Sequence, residues 1–412
     1  MSFKNAVSLA RKHMCGVIDK TPLQLNKRLS KLHNCTVYLK REDLTEVRSF
    51  KGRGAFNKIF GLSEEKRKNG IVCASAGNHA QGVAYTCNIL KISGDIFVPE
   101  CTPKQKIERI KYFGGTYCTV HIVGTSFSDA LELALKFGSE NNKEFVHPYN
   151  DMEVIVGQAT IADEIFEELV PDIIICAIGG GGLISGISLY SQSINPEISV
   201  IGSEPDTAPS MKLSLEANQP VDCDVRDNFV DGATVKRVGD LTFDICRQTV
   251  KEIYVVPVGR VCQEILELHQ NDGIIVEPAG ALSSACLSYI PPEKLVGKKV
   301  VCIISGGNND VSRYQEITER YQRFKNKRHY YIIEFIQKAG ELRKFVNSIL
   351  GEEDDIIRFG YLKRTNKEYE NVLIGLTIES EANILSFEKA LEKNKFIFTK
   401  IKEDDLLYKY LL

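Results

Sequence analysis

Short runs of apolar and β-branched residues recur along most of the chain, separated by longer stretches with apolar residues at helical spacing. Val37–Lys40, Ile71–Ala74, Gly94–Val98, Ile173–Ile178, Val200–Gly202 and Val300–Ile304 are the predicted strands, and residues 1–36 read as helical with a turn at Thr21-Pro22. Strands alternating with helices up to about residue 320 predict an α/β architecture, with mostly parallel sheets covered by helices on both faces. From Arg328 the pattern changes. Tyr330–Ile336, Ile356–Leu362, Val372–Ile378 and Phe396–Ile401 read as strands. A helix carrying Leu342, Phe345, Val346 and Ile349 on one face falls between the first two, and Ser380–Asn394 is a second helix. The order β-α-β-β-α-β predicts a separate α+β, ferredoxin-like domain.

A chain of 412 residues exceeds one ordinary core, so two or three domains are expected. A net charge of -2 argues against a general nucleic-acid binder, and the basic cluster Arg320–Arg328 reads as a solvated connector. The twelve cysteines are scattered, with no Cys-x-x-Cys, which predicts reduced thiols in a cytoplasmic protein and no structural zinc. The first twenty residues lack the apolar core of a signal peptide, and Ile173–Ile178 is too short to span a bilayer, so no membrane role is expected.

In parallel sheets ligands bind beyond the carboxyl ends of the strands. Ser49-Phe50-Lys51-Gly52-Arg53-Gly54 places a lysine against two glycines where a helix should begin. Glycine admits a ligand to the backbone, a helix N-terminus favours anions, and its positive end disfavours an ammonium, so Lys51 is a candidate amine nucleophile. A solvated loop lysine is the plainer alternative. Ser75-Ala76-Gly77-Asn78-His79 follows Ile71–Ala74 and is either a helix cap or a nest of N–H groups for a carboxylate. Gly179-Gly180-Gly181-Gly182-Leu183 follows a buried strand and opens a helix; four glycines destabilise any regular element, and the run reads as a cradle for a single phosphate. It does not fit Gly-x-Gly-x-x-Gly. Ser305-Gly306-Gly307-Asn308 closes the set, with Ser305 a loop cap or a hydroxyl aimed at a heterocycle nitrogen.

Together these four stretches resemble the fold-type II pyridoxal-phosphate enzymes, two-lobed like the tryptophan synthase β subunit, and among them the threonine dehydratases. The resemblance implies that Lys51 carries the cofactor covalently. It places Gly179, Gly180, Gly181, Gly182 and Leu183 on its phosphate, Asn78 on its ring hydroxyl and Ser305 on its pyridine nitrogen. Ser75, Ala76, Gly77, Asn78 and His79 would grip the substrate carboxylate. The implied reaction is β-elimination and deamination of L-threonine to 2-oxobutanoate and ammonia, with L-serine slower, as the first step of isoleucine synthesis. A catabolic dehydratase and a non-catalytic amino-acid sensor are the other readings. Racemases resembling this family carry a second hydroxyl where Ala76 stands, which argues against racemase activity. Ser210 replaces the second acid of a cation site that some relatives place near Glu204, so no metal is expected. Glu277, in Val276-Glu277-Pro278, stands at a family position beside the cofactor, where a structural turn is an equal reading.

Residues 1–320 are thus the expected catalytic domain, with a smaller lobe at roughly 45–145, then a linker at 321–328. Lys338–Arg343 and Asp354–Lys363 are similar to the ACT-like regulatory domain of the short biosynthetic form, which assigns 329–412 to that domain. It implies control by isoleucine, or valine, in a homo-oligomer, with a homotetramer favoured.

Overall fold

Why the lysine and the glycine run meet follows from two parallel sheets. The protein, seen in a computed structural model, is described for residues 1–362, 368–402, 405, 407 and 411; Lys363 of the regulatory-domain resemblance lies outside them. The strands are β1 (Leu23–Leu25), β2 (Thr36–Arg41), β3 (Ile71–Ala74), β4 (Gly94–Val98), β5 (Cys118–Ile122), β6 (Glu144–Phe145) and β7 (Ile173–Ala177). They continue with β8 (Ser199–Pro205), β9 (Glu252–Val256), β10 (Lys299–Ile304), β11 (Arg328–Ile336), β12 (Asp355–Gly360), β13 (Tyr369–Thr377) and β14 (Phe398–Lys400). One sheet has the order β1-β2-β10-β7-β8-β9, parallel except for β1. The other, β5-β4-β3-β6, is parallel throughout and forms the smaller lobe.

The apolar runs are buried because both faces of each sheet carry helices; β3, β4 and β7 are buried at every position. The first 36 residues differ from the helical expectation. The helix Phe3–Met14 is followed by β1 and a short helix, Lys27–His33, because Leu23–Leu25 pairs antiparallel with β2. Strands β5, β6 and β9 were not expected: β5 and β9 carry polar residues on a half-exposed edge, and β6 is two residues long.

Two compact units divide at Asp310/Val311, ten residues before the expected boundary. The helix Tyr314–Phe324 belongs to the second unit, and the basic cluster is not a solvated connector. Arg323 and Arg328 both pair with Glu319, at 2.9 and 2.8 Å, and Tyr330 donates to the same carboxylate at 2.9 Å. The second unit has the antiparallel order β12-β13-β11-β14, that of a ferredoxin-like domain. Its helix Glu341–Ser348 buries Phe345, with Ile349 just beyond its end, against β11, whereas Leu342 and Val346 are 44% and 42% exposed. The apolar face is therefore narrower than the sequence pattern, one position in four rather than a full stripe.

Candidate active site

Lys51 is the first residue of the helix Lys51–Phe60, and the backbone just after β10 fixes that start. Ser49 pairs with Gly306 as an isolated bridge, and the Phe50 N–H donates to the Ser305 carbonyl at 3.1 Å. The Lys51 amine donates to the Pro148 carbonyl at 2.8 Å. Its pKa is lowered to about 8, by burial, with nearby Glu277 opposing. Enclosure therefore supplies the neutral amine that the sequence reading ascribed to the helix end. The flanking glycines also differ from expectation, since they admit helices rather than a ligand. A Cβ on Gly54 would lie 2.8 Å from Val154, one on Gly157 would lie 2.6 Å from Gly54 itself, and one on Gly82 would lie 3.0 Å from the Gly52 nitrogen.

The loop Gly179–Gly182 joins β7 to the helix Gly182–Ile194. Gly181 has φ +93°, and the helix has no side-chain cap. A Cβ on Gly180 would sit 2.3 Å from the Tyr149 ring, and one on Gly181 would meet Met211 and Thr242 at 2.8 Å. The Thr242 hydroxyl donates to the Gly180 carbonyl at 2.7 Å and holds the turn from behind. Pro148 and Tyr149, adjacent in sequence, thus connect the lysine to the glycine run.

Asn78 opens the helix Asn78–Leu90 and sits in a chain of hydrogen bonds: its amide donates to Glu277 at 2.7 Å and accepts from Asn308 at 2.8 Å. Glu277 is buried at the start of the helix Pro278–Ala285, where its carboxylate accepts from the Asn78 amide. The Ser305 hydroxyl, also buried, donates to the Ala279 carbonyl at 3.2 Å. Ser75 accepts from the Gly77 N–H at 3.3 Å, and Ala76 packs against the small-lobe core. The His79 ring faces away from this loop: it is buried, bonds the Val146 carbonyl at 2.8 Å, and is held down at about 3 by burial and by Lys51. Any grip on a carboxylate at this position comes from its backbone. Glu204 is buried near the end of β8, and its two oxygens accept from the Met211 and Lys212 N–H groups at 2.7 and 2.9 Å; burial pushes it up to about 8. It caps a helix. Among the described residues no cluster of His, Cys, Asp and Glu has the makings of a metal site.

Residues 15–306 match the family model for pyridoxal-phosphate dependent enzymes, and residues 319–411 match that for the C-terminal regulatory domain of threonine dehydratase. A biosynthetic L-threonine dehydratase, IlvA, of Halalkalibacterium halodurans is 43% identical over 408 residues, covering 98% of each chain. That of Staphylococcus saprophyticus is 46% identical over 399 residues, covering 93% of this chain and 94% of its own. The chain belongs to the threonine dehydratase family. Among solved structures, the processed form of threonine deaminase isoform 2 from Solanum lycopersicum superposes with a TM-score of 0.72 at 33% identity, covering 77% of this chain and 93% of its own. A serine racemase from Dictyostelium discoideum gives 0.70 at 31% identity, covering 75% of this chain and 99% of its own.

Pyridoxal phosphate is the cofactor of this dehydratase family, and the donor set here fits it. A partly neutral amine, an uncapped helix start behind four glycines, a buried serine and a half-buried asparagine are the complements of its aldehyde, phosphate, ring nitrogen and ring hydroxyl. The sequence reading passed over His147, Pro148, Tyr149, Thr242 and Asn308. Only Asn308 lay inside a motif. The others have a fold for their signal, not a pattern: Thr242 lies in the helix Asp240–Thr249, and His147-Pro148-Tyr149-Asn150 between β6 and a helix offers no strand end long enough to notice.

Proposed function

We propose that this protein converts L-threonine to 2-oxobutanoate and ammonia, with L-serine a slower substrate, and that Lys51 is its base and its covalent link to the cofactor. The observation that carries the reading is the Lys51 amine, enclosed with its pKa near 8 and touching the loop that packs on the glycine run. Bound pyridoxal phosphate supplies an electron sink that acidifies the substrate Cα–H. Lys51, freed when the substrate amine takes its place, removes that proton. N–H groups at Gly179–Leu183 hold the phosphate, Asn78 is aimed by Glu277 and Asn308, and Ser305 offers one hydroxyl to the ring nitrogen. The backbone at Ser75–His79 holds the substrate carboxylate at a helix N-terminus. A serine beside the ring nitrogen leaves a shallower sink than a carboxylate, which favours prompt loss of the β-hydroxyl.

In this reading residues 1–310 catalyse and 311–412 regulate, with isoleucine or valine as effector, in a cytoplasmic homotetramer placed at the head of isoleucine synthesis. Steady-state kinetics on both amino acids, with and without isoleucine, test it. Faster turnover of threonine than serine and slower turnover with isoleucine are the expected results; rates indifferent to isoleucine remove the regulatory half, and inertness towards both amino acids removes the whole.

Gly180→Ala probes the cradle separately. The added methyl would enter the Tyr149 ring, an overpacking of about 1–3 kcal/mol. Titration of the apoprotein with pyridoxal phosphate, followed by absorbance, is expected to show affinity weakened by about ten- to a hundredfold. Unchanged affinity would mean that the ring moves freely and the loop is no cradle.

A further inference from the structure

The protonation pattern of His147 is set by its own backbone. Its Nδ1 accepts from the Tyr149 N–H at 3.2 Å and from the Asn150 N–H at 2.8 Å. A ring nitrogen that accepts carries no proton, so the neutral imidazole has its hydrogen on Nε2. Burial, and then Lys51, push the ring down to about 4, which keeps it neutral near pH 7. The contrast with His79 is direct, because there Nε2 is already committed to the Val146 carbonyl. The next residue after His147 gives its carbonyl to the Lys51 amine, and the Lys51 charge reaches the ring itself, so this ring lies beside the base.

We propose that the Nε2–H of His147 donates a hydrogen bond to the β-oxygen of the substrate, making it the residue that selects β-hydroxy amino acids. The inference deepens the threonine dehydratase reading and rests on it. In that reading the substrate carboxylate is held by backbone N–H groups at a helix N-terminus and the phosphate by the glycine run, both matched to full negative charges. The β-hydroxyl is the remaining polar group of threonine, and the oxygen on which charge develops as the Cβ–O bond breaks. A fixed neutral donor suits that oxygen, because it stabilises developing charge without needing reorganisation. His147 keeps its proton. Lys51 takes the Cα proton, the Cα–H pair becomes the Cα=Cβ bond, the Cβ–O pair leaves on oxygen, and the Lys51 ammonium returns the proton that makes the leaving group water.

His147→Asn is the test, since an asparagine oxygen stands close to the place of Nδ1 and can accept from the same two N–H groups while nothing occupies the Nε2 position. Compared with wild type, kcat/KM is expected to fall about 10- to 100-fold on L-threonine and L-serine. On β-chloro-L-alanine, whose chloride leaves without a donor, it should stay within about threefold. Cofactor dissociation, followed by absorbance, and competitive inhibition by L-2-aminobutyrate, which lacks the hydroxyl, should not change. An equal loss on all three substrates, no loss on any, weakened cofactor retention or weakened inhibition would each overturn the assignment. A wild-type protein inert towards all three amino acids would instead remove the dehydratase reading, and this inference with it.

Discussion

Lys51→Ala is expected to leave a folded protein whose threonine turnover is reduced at least a thousandfold. Two functions are lost with one amine: the covalent hold on the cofactor, and the base that takes the Cα proton, a role worth about 10²–10⁴ by itself. The fold should survive, because the side chain makes one hydrogen bond, to the Pro148 carbonyl, and buried Glu277 beside it keeps the hydrogen bond from the Asn78 amide. Circular dichroism and a denaturation midpoint close to wild type, together with loss of the lysine-bound cofactor absorbance, complete the expected result. Residual turnover within tenfold of wild type would defeat the assignment. The lowered pKa adds a pH signature. With an amine pKa of about 8, only about a tenth of the wild-type apoprotein has a neutral amine at pH 7. The rate at which it captures pyridoxal phosphate should therefore rise about tenfold per unit from pH 6 to 7, then level off above pH 8. An ordinary lysine would keep climbing to pH 10, and that outcome would mean that the amine is not enclosed.

The parts of this fold that the chain announces are those where one physical requirement acts alone. Strands buried on both faces, such as Ile71–Ala74 and Ile173–Ala177, must be apolar throughout, and the structure begins each within a residue of where the pattern does. Four adjacent glycines cannot be explained as scaffold, so Gly179–Gly182 stood out as well. Where two requirements compete, the pattern misleads. Over residues 341–349 the spacing of four apolar residues suggested a broad buried face, yet the core takes Phe345 and Ile349 and leaves Leu342 and Val346 exposed. In Lys51–Phe60 the glycines looked like ligand contacts, and they also make room for neighbouring helices: a Cβ on Gly54 would strike the Gln158 and Val154 side chains, and one on Gly157 or Gly82 would strike this helix's backbone. His147 was invisible for a different reason. Nothing local distinguishes it; the fold alone sets it beside Lys51 and occupies one of its nitrogens.

The largest loss of stability is expected from Arg53→Met, two residues from the active lysine. Arg53 is 1% exposed, and its guanidinium forks across two carboxylates: Nε and Nη2 reach Glu42 at 2.8 and 2.9 Å, and Nη1 and Nη2 reach Glu164 at 2.6 and 3.0 Å. Lys40, also fully buried, donates to Glu164 and to the Thr21 carbonyl, both at 2.6 Å, while Arg11 pairs with Glu164 from the edge. One cluster thus binds β2, the helix Lys51–Phe60 and the helix Met152–Glu168. Methionine fills similar space but strips buried Glu42 of its ion pair and leaves Glu164 with Lys40 and Arg11, a loss of about 3–5 kcal/mol. Chemical denaturation of the full chain should show the midpoint of the first unit falling accordingly. Arg53→Lys should lose less but still be destabilised, since one ammonium cannot serve both carboxylates in parallel. The informative arm is the second substitution. If desolvated charge is the cause, Glu42→Gln should destabilise the wild type yet restore part of the stability of Arg53→Met, because it removes the stranded carboxylate. Additive losses in that double variant would instead make Arg53 a packing residue, and the position of Lys51 would have to be explained by the backbone contacts of Ser49 and Phe50 with Ser305 and Gly306 alone.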